Sequence, residues 1–597
     1  MSETKSLPPH LTGGQFLLAE TDPSLVFTPE DLSSEQRQIA DAAKKFMEKD
    51  VLPKLDALEH QEEGLAVRLF KQAGELGLHA IEIPEVYGGL GLGKTTSIGL
   101  AEQLTRLAGF GITCGAHTGI GSQPLTYFGT EAQKKKYLPR LATGELMAAY
   151  CLSEAGSGSD ALGMKTRAVL SPDGKHYVLN GAKMWITNCG WADLFTVFAK
   201  VDGQHVTAFL VERTFPGVST GKEEHKLGLK SSSTRQLILE DALVPVENVL
   251  GQVGKGAYIA FNILNYGRFG LGAGAVGGAK ASLDVAVRYS GERRQFGRTI
   301  GSFGLIQQKL GEMAAKTFAA ESAVYRVSGM IDEVMATGEM VDSVQPSFPR
   351  SLDEFAVECS IIKVACSETL DRVADETLQI HGGYGYTEEF PAARGCRDSR
   401  INRIFEGTNE INRLFMPTAL VRRAERGRLP LADATAKAFA EVRAWTPPED
   451  SGDALQNART ALAGARKLVL VLGGSAMQRF GKELAEQQEV LAAQSDIMID
   501  LFLGESALLR TLKAKAKGAS AAMMTDLTLI FINDSLVRME QHARTALAAM
   551  VSGDDLKARL QIAHRLLRWT PLNSIEMRRR VATRLSERGG YSAMLSA

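Results

Sequence analysis

The sequence has no CxxC pair: its six cysteines, at 114, 151, 189, 359, 366 and 396, are scattered, and none stands at metal-ligand spacing from the ten histidines. That excludes a disulfide framework or a structural zinc site as the organising device, and points to reduced thiols inside a cell. No apolar run approaches the roughly 20 residues that a membrane-crossing helix needs. The opening MSETKSLPPH lacks both the apolar core of a signal peptide and the Arg-rich amphipathic pattern of a transit peptide. A cytoplasmic protein is expected. An excess of charge of one sign is also missing, since 68 Lys plus Arg offset 69 Asp plus Glu. No global field draws the chain to nucleic acid. The balance is uneven along the chain, however: from Ser451 onward 20 Lys plus Arg face 14 Asp plus Glu, so the tail is basic and the first 450 residues are acidic.

What is present is a chain of 597 residues, 44% hydrophobic, long enough for several domains around a sizeable core. Residues 1–28 show no period and are expected to be disordered or loosely packed. From Pro29 and Ser33 or Ser34, helical periodicity runs through a first domain, 29–148. Residues 149–253 change to short β-like runs (YVLNGAKMWITN, DLFTVFAKV, VTAFLVE, RQLILEDALVP), in which Asn180-Gly181 signals a hairpin. Long helices return over 254–428, interrupted by the polar loop ATGEMVDSVQPSFPRS. A Pro-bounded connector, 429–454, leads to a helical extension, 455–597. The fold class expected is mainly α with a central antiparallel β domain: helical domain, β domain, helical bundle, and C-terminal helical extension.

Two phosphate-binding expressions have to be weighed. Residues 88–95, GGLGLGKT, match GxxxxGK[ST]. A phosphate loop needs a parallel sheet behind it, whereas the flanking periodicity is helical and Pro84 interrupts the approach. Gly272, Gly274 and Gly277 satisfy GxGxxG but follow a helical stretch, so close helix packing is the better reading.

The stretch 379–410, QIHGGYGYTEEFPAARGCRDSRINRIFEGTNE, carries the strongest chemical signal. Glu406 lies between Phe405 and Gly407, so its carboxylate can be partly desolvated and act as a base toward a C–H held against it. Upstream, three glycines in four residues give a loop whose backbone can approach a ligand closely. In the β region, YCLSEAGSGSD (150–160) offers hydroxyls and glycine backbone donors, and WIT (185–187) sets an indole beside a hydroxyl, apt for stacking on a ring.

These pieces resemble the acyl-CoA dehydrogenase family: a Glu-Gly-Thr at 406–408 following Gln-Ile-x-Gly-Gly-x-Gly at 379–385, with ERxxFG at 292–297. The resemblance is dense over residues 30–425, and the extension makes the whole most like the very-long-chain branch. It implies FAD as cofactor, contacted through Leu152, Ser153, Gly158, Ser159, Trp185, Ile186, Thr187, Thr408 and Glu410. Arg293, Phe296, Gln379 and Gly383 complete the set, with Arg293 and Phe296 reaching the flavin of a neighbouring subunit in a homo-oligomer, a dimer being favoured. Glu406 is implied as the base, and Ser159, Asn265, Arg268 and Gly407 as substrate contacts. Some family members carry the base in the helix near Tyr266, but residues 266–269 hold no acid here.

The implied reaction is α,β-dehydrogenation of an acyl-CoA to the trans-2-enoyl-CoA in fatty-acid β-oxidation, with electrons passing to an electron-transferring flavoprotein. An acyl-CoA oxidase would share the acid and the flavin; a scaffold protein of the same fold would use neither. Small residues at Gly119 and Gly121 suit a deep acyl tube, whereas Pro124 falls where another small residue is expected. In the connector, Leu431, Ala434, Ala438, Val442 and Trp445 share one helical face. With the basic tail, including Arg578, Arg579, Arg580, Arg584 and Arg588, this face suggests peripheral contact with the inner face of a membrane.

Overall fold

The computed structural model describes residues 7–341, 348–446, 449–518 and 521–595. The first helical domain starts where its capping signals lie: Ser33 and Gln36 bond reciprocally at the head of Ser34–Phe46, and Thr130 and Gln133 do the same for Glu131–Ala142. Between them come Leu65–Glu75, Lys94–Leu104 and Ala108–Ala116.

The β domain is one sheet of eight strands. Most neighbours are antiparallel, as expected, but Leu194–Val201 runs parallel both to Ala148–Cys151 and to Arg167–Leu170. Asn180-Gly181 forms no hairpin. It lies inside the single strand His176–Thr187, where the pairing with Thr234–Pro245 slips its register. Gly181 adopts φ +150°, and a Cβ there would stand 2.5 Å from Thr166 Oγ1. Asn180 exchanges two 3.0 Å hydrogen bonds with Asp241, so the pair serves a bulge rather than a turn.

The helical bundle is built from Gly256–Glu292, Gly304–Ala336, Ala356–His381 and Asn409–Glu425. The extension adds Ala454–Phe480, Gln488–Ala516, Ala522–Met550, Gly553–Leu566 and Ser574–Arg588, and shares one continuous hydrophobic core with the bundle. The stretch Ala454–Glu486 is long and apolar enough to match a membrane span by composition; its Leu462, Leu468, Val469 and Leu472 are buried in that core.

Residues 7–28, expected to be loose, are docked. Leu11, Phe16 and Leu17 are buried, and the N–H groups of Gly13 and Gly14 donate to the carboxylates of Glu354 and Glu358 at 3.0 and 2.6 Å. Phe16 meets Phe502 of the extension edge-on at 4.9 Å, and Arg466 Nε donates to its carbonyl at 2.7 Å. The connector likewise contains a packed helix, Leu431–Val442. Ala438 and Val442 are buried, and Gly474 of the next helix sits so close that a Cβ would meet Phe439 at 2.6 Å. The apolar face that suggested a membrane contact is therefore turned inward.

The basic excess of the extension is largely paired within the chain. Lys513 bonds Asp31 at 2.6 Å, Arg459 bonds Glu20 at 2.6 Å, and Arg510 bonds both Glu30 and Glu321 at 2.6 and 2.7 Å. Arg578 is buried against Asp534 and Arg580 is paired with Asp526. At GGLGLGKT the N–H groups of Lys94 and Thr95 donate to Asp332 at 2.6 and 2.9 Å, so the chain's own carboxylate fills the place of a phosphate. Gly272 and Gly277 serve packing, as expected: a Cβ would fall 2.1 Å from Ile362 Cγ2 and 2.6 Å from Glu102 Cα, respectively.

Candidate active site

Glu406 stands between the short turn Ile401–Arg403 and the helix Asn409–Glu425, which Thr408 caps by accepting the Ile411 N–H at 3.2 Å. Glu406 and Gly407 both take left-handed backbone conformations, φ +59° and +77°. A glutamate there is strained, and the surroundings hold it. Arg268 Nε donates to the Glu406 carbonyl at 3.2 Å, and Asn412 Nδ2 donates to the carbonyls of Gly407 and Thr408 at 2.8 and 3.0 Å. The carboxyl oxygen Oε2 is buried and has no hydrogen-bond partner among the described residues. Burial pushes this carboxyl up to about 7, opposed by the positive charges of Arg268 and Lys363. Such a group exchanges protons near neutrality and is free to point one oxygen at a ligand.

Space for the carboxyl exists because residue 267 is glycine: a Cβ there would lie 2.7 Å from Oε2. From this point a cavity of about 230 Å³ runs along the helix Gly256–Glu292, lined successively by Gly267, Gly270, Gly274 and Gly278. Those spacings of three and four put all four on one helical face. The facing wall repeats the device with Gly111, Gly115 and Gly119. At Gly115, Gly119 and Gly270 an added Cβ would enter open space. Helix glycines cost about 1 kcal/mol each relative to alanine, so the open positions make room rather than stability, while Gly111 also lets its helix pack against the Leu104 carbonyl. Gly121 and Pro124, also weighed for the tube, are buried in the packing and do not line it. The wall also carries an ion pair between buried Lys94 and half-buried Glu82, joined by Gln123 Nε2 at 2.9 Å from Glu82.

The other sequence-predicted residues fall into two sets. Lys183 Nζ, buried in the sheet, bonds Leu152 O at 3.1 Å and Glu154 Oε1 at 2.8 Å, while Met184 N donates to Ser153 O at 2.9 Å. These bonds pin the loop 152–160 against the strand segment 185–187. Thr187 lines the cavity, Ile186 and Leu152 are buried, Ser153 is half-buried, and Gly158 and Ser159 are exposed. Trp185 stands 57% exposed at φ +62°, and Gly156 and Gly158 have open space where a Cβ would be. An exposed indole beside an open glycine loop fits a planar ring with a phosphate tail.

The second set gathers around the turn 382–386. Arg293 lies over the ring of Tyr384, the neighbour of Gly383 in the chain, at 5.4 Å, and Gln379 is exposed near the end of the preceding helix. Phe296, at the tip of the adjoining hairpin, is 92% exposed at φ +52°. Thr408 and Glu410 sit at the start of the helix that follows the base.

Two of the residues expected at the substrate sit beneath the loop of the base. Arg268 is buried under the loop, bonded to the Glu406 carbonyl, and Asn265 bonds Arg268 NH1 at 3.3 Å and Leu352 O at 3.0 Å. Neither lines the cavity. Both hold the base in place, because the helix turns that face toward the loop and presents Gly267 and Gly270 to the tube. The glycine stripes and Lys363 were missed. The spacing 267, 270, 274, 278 is visible in the sequence, but it takes the facing stripe to distinguish a tube from close packing.

The fold and this site define a known class. Family models for acyl-CoA dehydrogenases match the chain in four parts: the N-terminal domain over 33–145, the middle domain over 149–242, and two C-terminal domains over 254–420 and 464–565. The chain belongs to the acyl-CoA dehydrogenase family. It is 46% identical to a probable acyl-CoA dehydrogenase of Bacillus subtilis over 97% of this chain and 98% of that one. It is 40% identical to the mouse mitochondrial very long-chain specific acyl-CoA dehydrogenase over 70% of this chain and 62% of that one. A crystal structure of an acyl-CoA dehydrogenase complexed with FAD from Bacillus anthracis superposes with a TM-score of 0.95 at 48% identity, covering 97% of this chain and 99% of that one.

Proposed function

We propose that this protein is an FAD-dependent dehydrogenase of long-chain acyl-CoA thioesters, forming the trans-2-enoyl-CoA in fatty-acid β-oxidation and passing electrons to an electron-transferring flavoprotein. The observation that carries this reading is the buried carboxyl of Glu406, poised near neutrality at the head of an apolar tube. The stretch of helix from Gly267 to Gly278 spans about 16 Å. At roughly 1.3 Å of advance per carbon, that holds about a dozen methylenes, matching an acyl chain of about 14 to 16 carbons.

Glu406 removes the α proton; FAD, when bound, supplies the acceptor for the β hydride. Arg268 and Asn412 fix the backbone of the base, so its carboxylate keeps its aim while the charge shifts to the thioester oxygen. The tube excludes water from the reacting carbons. Trp185 and Thr187 on one side, with the loop 152–160, would hold the ring and its phosphates. Arg293 and Phe296 project from the surface and would complete the flavin site of a second copy, which favours a homodimer.

The test is turnover of purified flavoprotein with acyl-CoAs from 4 to about 20 carbons, using either an electron-transferring flavoprotein or air. The expected optimum lies near 14 to 16 carbons with the flavoprotein acceptor. Peroxide formation that keeps pace with turnover in air would replace this reading with an oxidase.

A further inference from the structure

The far end of the tube, at Thr105, Ala108, Gly278, Leu370 and Asn402, is shared with a second cavity of about 110 Å³. That chamber lies between three helices that turn small side chains into it. Gly256–Glu292 gives Ala281, Ser282 and Val285, Ala356–His381 gives Ala374, and Pro391–Arg400 gives Ala392 and Gly395. Small facing side chains ordinarily let helices close on one another. Here they border open space, and Thr377 Oγ1, donating to the Ser282 carbonyl at 3.1 Å, ties two of the helices at their present spacing. Three charged residues also line the chamber. Asp398 accepts the Leu229 N–H at 2.6 Å, Arg106 donates to Gln103 at 3.2 Å, and half-buried Arg394 adds the apolar stem of its side chain to the wall.

Leu370 is the large apolar side chain in the neck between the two spaces. It is buried, and a Cβ added at Gly278 would lie 3.2 and 3.4 Å from its two methyl carbons. Its isopropyl end therefore reaches across to the opposite helix, and the glycine there gives it room. The polar neighbours in the neck are already engaged: Thr105 Oγ1 donates to Ala101 O at 2.9 Å, and Asn402 Nδ2 donates to Ser399 O at 3.0 Å. We propose that Leu370 sets the upper limit of acyl length, its side chain being the partition between the tube and the chamber. This rests on the reading of the tube as an acyl site.

A hydrocarbon end that meets Leu370 has to fold back or displace a packed side chain; one that passes it continues along Ala281 and Val285. Gly278 to Val285 spans about 10 Å of helix, room for about eight further carbons at roughly 1.3 Å each, so removing the partition raises the limit from about 16 carbons to about 24. A chain of 20 carbons then buries about four methylenes in the chamber, each worth about fourfold in affinity. Ordering the chain and the space vacated by Leu370 take back part of that gain, which leaves a preference of about tenfold to a hundredfold.

The experiment measures kcat/KM for acyl-CoAs of 12, 16 and 20 carbons in wild type, Leu370→Ala, Leu370→Val and the double variant Leu370→Ala with Ala281→Leu, each with its flavin content measured. The ratio of the 20-carbon to the 12-carbon value should rise about tenfold or more in Leu370→Ala. Leu370→Val removes one carbon, should raise the ratio about threefold, and serves where the alanine variant fails to fold. Ala281→Leu fills the chamber behind the opened neck and should cancel the gain. A merely structural role for Leu370 lowers all chain lengths together and leaves the ratio where it was. A ratio within about twofold of wild type in both single variants, with flavin bound, overturns the proposal, and so does a gain that survives Ala281→Leu. A second readout needs no turnover: the Kd values of S-alkyl-CoA thioethers of 12 and 20 carbons, which lack the carbonyl that acidifies the α C–H, should show the same change of ratio. If the thioether ratio shifts while the wild type dehydrogenates no acyl-CoA, the functional reading fails and the partition stands. If the wild type turns over acyl-CoAs while neither ratio moves in the variants, the partition fails and the functional reading stands.

Discussion

Glu406 combines a left-handed backbone, an unpartnered buried oxygen and a proton affinity near neutrality. Glu406→Gln keeps the shape and removes the basicity. Loss of a general base should lower the rate of flavin reduction by about 10² to 10⁴, or roughly 3 to 5 kcal/mol, with flavin still bound. Rapid-mixing absorbance of the flavin checks this, and near-normal bleaching by an acyl-CoA would remove Glu406 from the role. The sign of the pH effect follows from the same burial. The base acts as the carboxylate, so kcat/KM should climb as pH rises through about 7. Stability runs the other way, because the folded state binds the proton more tightly than the unfolded state. The contribution is present at acid pH and is lost as pH rises from the ordinary carboxylate range to about 7. Glu406→Gln should therefore be more stable than wild type at pH 8, by about 1 to 3 kcal/mol, in thermal or denaturant unfolding.

The glycine stripes give the helices a conflict between stability and use. Gly270 and Gly115 have open space beside them, so Gly270→Ala or Gly115→Ala meets no clash and should stabilise its helix by about 1 kcal/mol. The same methyl narrows the tube. Expected together are a higher Tm and a lower kcat/KM for acyl chains of about 14 to 16 carbons, with short chains spared; loss of short-chain activity to the same degree would mean that the stripes do not form the acyl wall. Elements of this kind were partly legible in advance. The helix start near Ser33 was legible because its capping partner, Gln36, lies three residues away. Asn180-Gly181 was not, because its role depends on Asp241, which is distant in sequence. The base was readable from its own neighbours at 405–408 and the loop at 379–385. The bond from Arg268 to the Glu406 carbonyl was not legible, because which face of a helix meets the loop of the base depends on the partner helices.

The whole molecule is held across its length by charge and packing between the extension and the acidic remainder. Arg510 joins Glu30 and Glu321, and Glu505 receives Arg326 at 2.9 Å. Removing one side of such buried pairs leaves uncompensated charges, at about 3 to 5 kcal/mol for each pair broken. A chain ending near Arg426 is therefore expected to aggregate or unfold, rather than to persist as a smaller enzyme. Recovery of a monodisperse, flavin-bound truncated protein by gel filtration would show that the extension is dispensable. These pairings were invisible as pairs in the sequence, where only the opposite charge balance of the two regions could be read.

The docking of residues 7–28 has a consequence for synthesis. Phe16 rests on Phe502, and its carbonyl is bonded to Arg466, so an early segment has part of its seat among late ones. At about 5 to 20 residues per second, that seat leaves the ribosome roughly 25 to 100 s after the segment does. For that interval Phe16 lacks the ring it rests on and the partner of its carbonyl, while Gly13 and Gly14 can already reach Glu354 and Glu358 of the bundle. A nascent chain stalled before the extension should thus be open to protease at its beginning and to chaperones that bind short apolar segments, and both should lose their hold once the final helices emerge.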